Sequence, residues 1–191
     1  MMPLANLLSL GARPEDTEAR DKFTRLNART KREMRELVIA ARQIRVRKEK
    51  SDGPDTLPNQ FTAALGRTHG TIIFIARALS GAPLVDDVRD ALKPFLRSAR
   101  ARLGGIHHLL ADGTPLDRAT ELDAAIASAS GRIARHATDN PAVHLEAMPF
   151  LLETLRDDLN ELATLAGNLP RPKGRFSWSR SSLGLHAIDR R

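Results

Sequence analysis

Apolar residues recur at intervals of three and four along most of this 191-residue chain. That spacing places side chains on one face of an α-helix, whereas a half-buried strand alternates at every second residue. No segment shows sustained two-residue alternation, and residues 71–75, Thr-Ile-Ile-Phe-Ile, have flanks that fit a helix better than a strand. The sequence therefore predicts an all-α fold, an antiparallel bundle of four to six helices joined by short turns.

Five helices follow from the apolar stripes and from the turn residues between them. A long first helix is expected from about residue 15 to 48, a second from near Pro58, and a third over about 84–111. Thr114 and Pro115 are expected to open the fourth, with Thr114 as its N-cap. The clearest stripes are Phe23, Leu26, Met34, Leu37, Ala41 and Ile44 in the first helix, Val88, Leu92, Phe95, Ala99, Leu103, Ile106 and Leu110 in the third, and Met148, Leu152, Leu155, Leu159, Leu162 and Ala166 in the fifth.

The chain length fits one domain, on the prior of about 100–200 residues per domain. We expect a flexible or apolar N-terminal segment at residues 1–14 and a helical bundle domain at 15–169. Residues 170–191 change to Pro-Arg-Pro-Lys-Gly-Arg and Ser-Trp-Ser-Arg-Ser-Ser, which indicates an irregular basic tail.

Several classes of protein are excluded by composition. The chain has no cysteine, which removes disulfides, thiolate metal sites and thiol nucleophiles. Its longest run without Asp, Glu, Lys or Arg is Met1–Ala12, whereas a membrane-spanning helix needs about 20 apolar residues. The sequence therefore predicts a chain without a transmembrane segment, either soluble or peripheral to a membrane.

The residues that most often carry chemistry form no recognisable site. No two of the six histidines are three or four residues apart, the spacing at which helical ligands share a metal ion. Each histidine is expected to be hydrogen-bonded in the core or to face solvent. Glu153 and Asp157 share a helical face, but a solvated surface beside Arg156 is the favoured interpretation. We predict no catalytic residue, no metal and no cofactor, and hence not an enzyme.

The excess of positive charge is confined to two segments. The chain carries a net +7, with +8 in residues 20–50 and +5 in residues 170–191, while residues 1–19 carry −2 and residues 51–169 carry −4. Such asymmetry is typical of contact with nucleic acid or an anionic membrane. The candidate residues for binding an anionic surface are Arg29, Lys31, Arg32, Arg35, Arg42, Arg45, Arg47, Lys48, Lys50, Arg171, Lys173, Arg175 and Arg180.

Three interpretations of the basic helix stay open. Glu33, Glu36 and Glu49 interrupt the cations, which suits ion pairs on a solvated helix. Acidic lipid headgroups are the second interpretation, with Phe176 and Trp178 of the tail at a membrane interface. Nucleic acid is the third and is disfavoured, because the cations surround the helix instead of forming one stripe.

Five segments resemble the helical region of the FUSC family, the fusaric-acid-resistance and aromatic-acid-exporter type proteins. Residues 15–20, 25–27 and 37–42 resemble the long helix that enters this region. Residues 150–162 resemble its closing helix, and 183–190 resemble the basic lead-in to a membrane half.

The resemblance implies a non-enzymatic helical module of an efflux-type membrane protein. It implies a location at the cytoplasmic face of the inner membrane, and partners that are membrane-embedded segments, the membrane surface or further copies of the chain. Neither membrane half of that family is present in this sequence, so no transport residue is carried over. The alternative is a basic helical protein that binds nucleic acid or acts as an adaptor.

Overall fold

The computed structural model describes residues 2–11, 16–47, 57–81, 86–116, 120–139 and 143–169. Within these ranges, the side chains at 40–47, 81, 136–139 and 143–144 are not described. The described residues form seven helices and no strand, so the predicted all-α fold is confirmed. The helices are α1 Met2–Gly11, α2 Thr17–Arg47, α3 Leu57–Gly81, α4 Asp86–Asp112, α5 Thr120–Asp139, the four-residue α6 Val143–Glu146, and α7 Met148–Asn168.

Helix α7 packs against α3, α4 and α5, and α5 also packs against α4. All six residues of the stripe predicted for the fifth helix are buried in α7. Six of the seven predicted for the third helix are buried in α4, and Leu110 packs against the core while partly exposed. The three-and-four spacing thus identified the buried faces of these two helices.

The N-terminal segment is a helix that packs into the core. In α1, Leu4, Leu7 and Leu8 are at most 3% exposed, and the helix contacts α2, α3 and α4. These leucines recur at i, i+3 and i+4 and so lie on one face of a helix. Residues 2–11, expected to be flexible or apolar, are therefore part of the described bundle.

The fourth predicted helix begins later than expected. Residues 113–116 are irregular, and α5 begins at Thr120. The backbone N–H and the hydroxyl of Thr114 both donate to Asp112 Oδ1, at 3.0 and 2.5 Å, while Gly113 has a φ of 80°. Because Thr114 is bound by this turn at the end of α4, it does not cap a following helix. The expectation that Thr114 and Pro115 open α5 is wrong.

The long helix α2 lies at the side of the bundle, against α1 and α3. Ala19 and Thr30 are buried, and Phe23, Leu26 and Met34 pack partly buried against the core. One or two turns further along, Leu37 lies on the same stripe but is 48% exposed. At Leu37, the other described residues therefore leave the apolar stripe of α2 about half uncovered.

Candidate functional site

The candidate cations that the structure describes lie on the exposed surface of α2. Arg29, Lys31, Arg32 and Arg35 are all exposed. Arg42, Arg45 and Arg47 belong to α2, but their side chains are not described. The remaining candidates fall outside the described residues: Lys48, Lys50, Arg171, Lys173, Arg175 and Arg180.

Ion pairs within α2 neutralise only some of its cations. Arg29 Nε lies 2.7 Å from Glu33 Oε1, and Lys22 Nζ lies 2.5 Å from Glu18 Oε1, both at the i, i+4 spacing. Such exposed pairs contribute little to stability. By contrast, Lys31, Arg32 and Arg35 form no ion pair with another described residue, so their charge is available to an external anion.

A groove of about 490 Å³ separates the N-terminal part of α2 from α1. Lys22, Arg25 and Arg29 line its α2 side because positions i, i+3 and i+7 share one face of a helix. Its α1 side has no ionisable residue, since residues 2–11 contain none. The other lining residues are Asn6, Ser9, Leu10 and Leu26. The groove combines an apolar floor with cations on one wall, an arrangement suited to an anionic head on an apolar body.

Further along α2, the exposed Ile39 lies on the same side of the helix as Lys31, Arg32 and Arg35, whereas Leu37 is exposed on the opposite side. Leu37 is 48% exposed and Ile39 53% exposed, among the most exposed large apolar residues of the described chain. A second groove, of about 440 Å³, is lined by Lys31, Met34, Arg35, Val38 and Ile39. This part of α2, residues 31–39, is called the basic–apolar segment below.

The cations of the basic–apolar segment were predictable from the sequence, but the exposure of its apolar residues was not. Leu37 belongs to the stripe that was expected to be buried, and its exposure depends on how far α1 and α3 extend along α2. Ile39 lies off that stripe. An isolated isoleucine among charged residues is only a weak indication of a binding surface, because single exposed apolar residues are common.

His69 is buried between α2 and α3. It is 6% exposed, and its Nε2 lies 2.9 Å from Asn27 Oδ1, to which it donates when the ring is neutral. Burial, together with the charge of Lys31, lowers the pKa of His69. His69 is thus a hydrogen-bonded core histidine, as expected, and His107 and His108 are exposed. The side chains of His136 and His144 are not described, and His186 lies outside the described residues.

A carboxylate is buried between α3 and α7. Thr71 donates its hydroxyl to Asp158 Oδ2 at 2.7 Å, and Arg67 Nε lies 3.8 Å from Asp158 Oδ1. Arg67 also forms an ion pair with Glu161 at the edge of this contact. Burial raises the pKa of Asp158, and the Thr71 hydrogen bond and the Arg67 charge act against that rise. The cluster fixes the relative position of α3 and α7.

The acidic residues of α7 are arranged for ion pairing. Asp157 is exposed, and its Oδ1 lies 2.9 Å from Arg156 Nη2, as the expectation of a solvated surface beside Arg156 requires. Across the part of the chain that the structure describes, no three His, Asp or Glu side chains are grouped so that they could hold a metal ion.

Comparisons with known proteins give no relative. No family model matches the sequence, and no curated protein or solved structure is similar to it. None of the helices in the described ranges is long and apolar enough to cross a lipid bilayer.

Proposed function

We propose that this chain is a non-enzymatic helical module that binds an anionic lipid surface through α2. The resemblance to the helical region of FUSC proteins supports a place at the cytoplasmic face of the inner membrane, as part of an efflux-type assembly. In this proposal the module acts by packing against the membrane surface and against membrane-embedded partner segments.

The observation that carries the proposal is the composition of the basic–apolar segment. Lys31, Arg32 and Arg35 are exposed without an ion pair among the described residues, and the half-exposed Ile39 lies on their side of α2. Leu37, also about half exposed, lies on the opposite side of the helix. Helices that lie at a membrane surface bury apolar side chains at the acyl boundary and keep cations at the headgroups. Long Lys and Arg side chains reach the headgroups while their stems lie along apolar surface.

Exposed apolar residues favour a lipid surface over nucleic acid as the anion. A protein that binds phosphate backbones needs cations, and polar or aromatic side chains that contact bases. Leucine and isoleucine supply neither contact, whereas both enter the acyl boundary of a bilayer favourably. Nucleic-acid binding is the alternative outcome, and it predicts an affinity that falls steeply with salt without any requirement for lipid.

Vesicle flotation with a matched pair of triple variants tests the proposal. The test variant carries Lys31→Glu, Arg32→Glu and Arg35→Glu. Because each cation near an acidic leaflet contributes about 1 kcal/mol, these reversals should lower partitioning into acidic vesicles at least about 100-fold. Vesicles of neutral lipid should recover little of the unaltered protein.

The control carries three reversals elsewhere on the described surface. Arg77, Arg97 and Arg100 are exposed cations of α3 and α4, and changing each to Glu gives the same net charge as the test variant. The control should partition much more strongly than the test variant. Equal loss in both variants, or equal recovery of the unaltered protein in acidic and neutral vesicles, contradicts binding through α2.

A further inference from the structure

Two phenylalanines are exposed on the outer side of α3 and α7. Phe74 of α3 is 58% exposed, and Phe150 of α7 is 68% exposed. Burying a phenylalanine side chain contributes about 1.5–3 kcal/mol relative to leaving it in water. Two of the six phenylalanines of the chain therefore forgo that stabilisation in the described structure.

The contacts between α3 and α7 place these two side chains on the same side. The helices run antiparallel, because Thr71 contacts Asp158 while the earlier residue Arg67 pairs with the later residue Glu161. Phe74 lies two turns after Arg67, and Phe150 lies three turns before Glu161, so each shares the helical face of its reference residue. Because the helices are antiparallel, Phe74 and Phe150 are both displaced from the Arg67–Glu161 pair towards the same end of the two helices. Their positions along the helix axes differ by about 6 Å.

The surface around the phenylalanines is open and partly acidic. A Cβ placed on Gly70, one turn before Phe74, would meet no atom within 4 Å. On α7, Glu153 is exposed and forms no ion pair with a described residue, and Asp157 is exposed beside Arg156. Exposed Arg77 is the cation nearest to Phe74 along α3. Phe74, Phe150 and these carboxylates are called the α3–α7 aromatic surface below.

We propose that residues 171–178 of the same chain, Arg-Pro-Lys-Gly-Arg-Phe-Ser-Trp, bind to the α3–α7 aromatic surface. This segment lies outside the described residues and follows directly from the end of α7. It combines three cations with two aromatic residues, which complements carboxylates beside exposed phenyl rings. The proposal is independent of membrane binding by α2.

The length of the segment brings Trp178 close to the nearer of the two phenylalanines. Phe150 lies about 28 Å from Leu169 along the axis of α7, and the level of Phe74 lies about 22 Å from Leu169, at 1.5 Å per residue. A reversal of the chain after Leu169 takes up about three residues. The six residues that remain before Trp178 cover about 19 Å in an extended chain of the polyproline type. Trp178 therefore comes within a side-chain length of the level of Phe74.

Trp178 is the one tryptophan of the chain, so its fluorescence reports on this segment alone. In the full-length protein we expect emission shifted to the blue of N-acetyltryptophanamide and partial protection from acrylamide. In the variant Phe74→Ser/Phe150→Ser, both effects should be lost. Each substitution should lower the ratio of bound to free segment about fivefold, the effect of losing one aromatic pair.

A matched control removes two exposed apolar residues from a different face. The variant Leu37→Ser/Ile39→Ser alters α2 and should leave the emission and quenching of Trp178 unchanged, with the same helical circular dichroism as the unaltered protein. A further variant, Glu153→Lys/Asp157→Lys, should increase the acrylamide quenching of Trp178 because it repels the tail cations.

Three results overturn the proposal. The first is a Trp178 as quenchable in the unaltered protein as in N-acetyltryptophanamide. The second is an equal response of Trp178 to the α2 control and to the phenylalanine variant. The third is protection that disappears on dilution, which indicates binding to a second copy of the chain instead of to the same molecule.

Discussion

His69 shows how a single buried residue makes the contact between α2 and α3 sensitive to pH. Its ring is 6% exposed and bonded to Asn27, and burial, with the nearby Lys31, lowers its pKa below the ordinary 6.5. The unfolded chain therefore binds a proton at a pH where the folded chain does not. The stability that this residue contributes is present above about 6.5, the pKa in the unfolded chain, and is lost as the pH falls from there through the lower pKa of the folded chain.

The first prediction concerns this pH dependence. The free energy of unfolding, measured with urea from about pH 8 to pH 5, should decrease towards acid, where histidines titrate. His69→Gln should remove part of the decrease, because the amide keeps a donor for Asn27 and does not titrate. Exposed His107→Gln is the control and should retain the decrease. A His69→Gln profile with the same slope as the unaltered protein contradicts the assignment.

The second prediction concerns the buried carboxylate between α3 and α7. Thr164 donates its hydroxyl to the carbonyl four residues earlier. The hydroxyl of Thr71 lies 3.2 Å from the equivalent carbonyl but 2.7 Å from Asp158 Oδ2, so its single proton is donated mainly to the carboxylate. Thr71→Val should cost about 1.5–3 kcal/mol of unfolding free energy at pH 7, the value of a hydrogen bond to a charged group. Exposed Thr164→Val should change it by less than about 0.5 kcal/mol.

The cost of Thr71→Val should also depend on pH. Burial already raises the pKa of Asp158, and removing the donor raises it further. The penalty applies to the ionised carboxylate, so it should shrink as the pH falls through the pKa of Asp158 and the group becomes neutral. If Thr71→Val lowers the free energy of unfolding equally at pH 7 and at acid pH, the loss is due to altered packing and not to the hydrogen bond with ionised Asp158.

At the scale of single residues, the sequence predicted that a buried histidine is hydrogen-bonded, but it did not predict which residues are the hydrogen-bond partners of His69 and Asp158. That a core histidine is hydrogen-bonded follows from the cost of burying a polar group. That Asn27 is the partner depends on how α2 crosses α3, and the two residues lie 42 positions apart. No sequence pattern distinguishes Asp158 from the other carboxylates of its helix, because its partner Thr71 lies 87 positions away.

At the scale of helices, the third prediction tests the packing of α1 on α3. A Cβ on Gly11 would lie 2.6 Å from Ala76 Cβ and 3.4 Å from Ala76 Cα, where the neighbour is largely backbone and moves little. Gly11→Ala should therefore destabilise the protein by about 1–3 kcal/mol. Thermal or urea unfolding of the full chain measures this change.

The control for this prediction is a glycine with free space. A Cβ on Gly104, inside α4, would meet no atom within 4 Å. Gly104→Ala should stabilise the protein by about 0.5–1 kcal/mol, because alanine loses less conformational entropy in a helix. If both substitutions stabilise the protein, α1 does not pack closely on α3.

The buried faces of long helices were predictable from the sequence. The short helix α1 and the start of α5, which follows a turn, were not. The repeated stripes of α4 and α7 extend over many turns, so the buried face is evident from spacing alone. In α1 the stripe is short and no charged residue marks the opposite face. The start of α5 was misassigned because a Thr-Pro pair is typical of a helix N-terminus, and here the Asp112 carboxylate binds Thr114 instead.

At the scale of the whole molecule, exposed cations and exposed apolar side chains occur together in the basic–apolar segment of α2. The sequence predicted a basic helix. The structure adds that apolar side chains of α2 are exposed near Lys31, Arg32 and Arg35, which form no ion pair with another described residue. Charge could be read from composition, whereas the exposure of Leu37 and Ile39 depends on the relative lengths and positions of three helices. Together they are the basis for proposing that α2 binds an anionic membrane.

The central claim is that the basic–apolar segment enters the interface of an anionic bilayer. The chain has no cysteine, so Ile39→Cys provides a unique site for a nitroxide spin label, and exposed Ala101→Cys on α4 provides the control. With acidic vesicles, the label at position 39 should become immobilised and more accessible to oxygen than to a polar nickel complex, while the label at position 101 stays in water. A label at position 39 that keeps its aqueous accessibility when the protein is bound to vesicles would contradict the account.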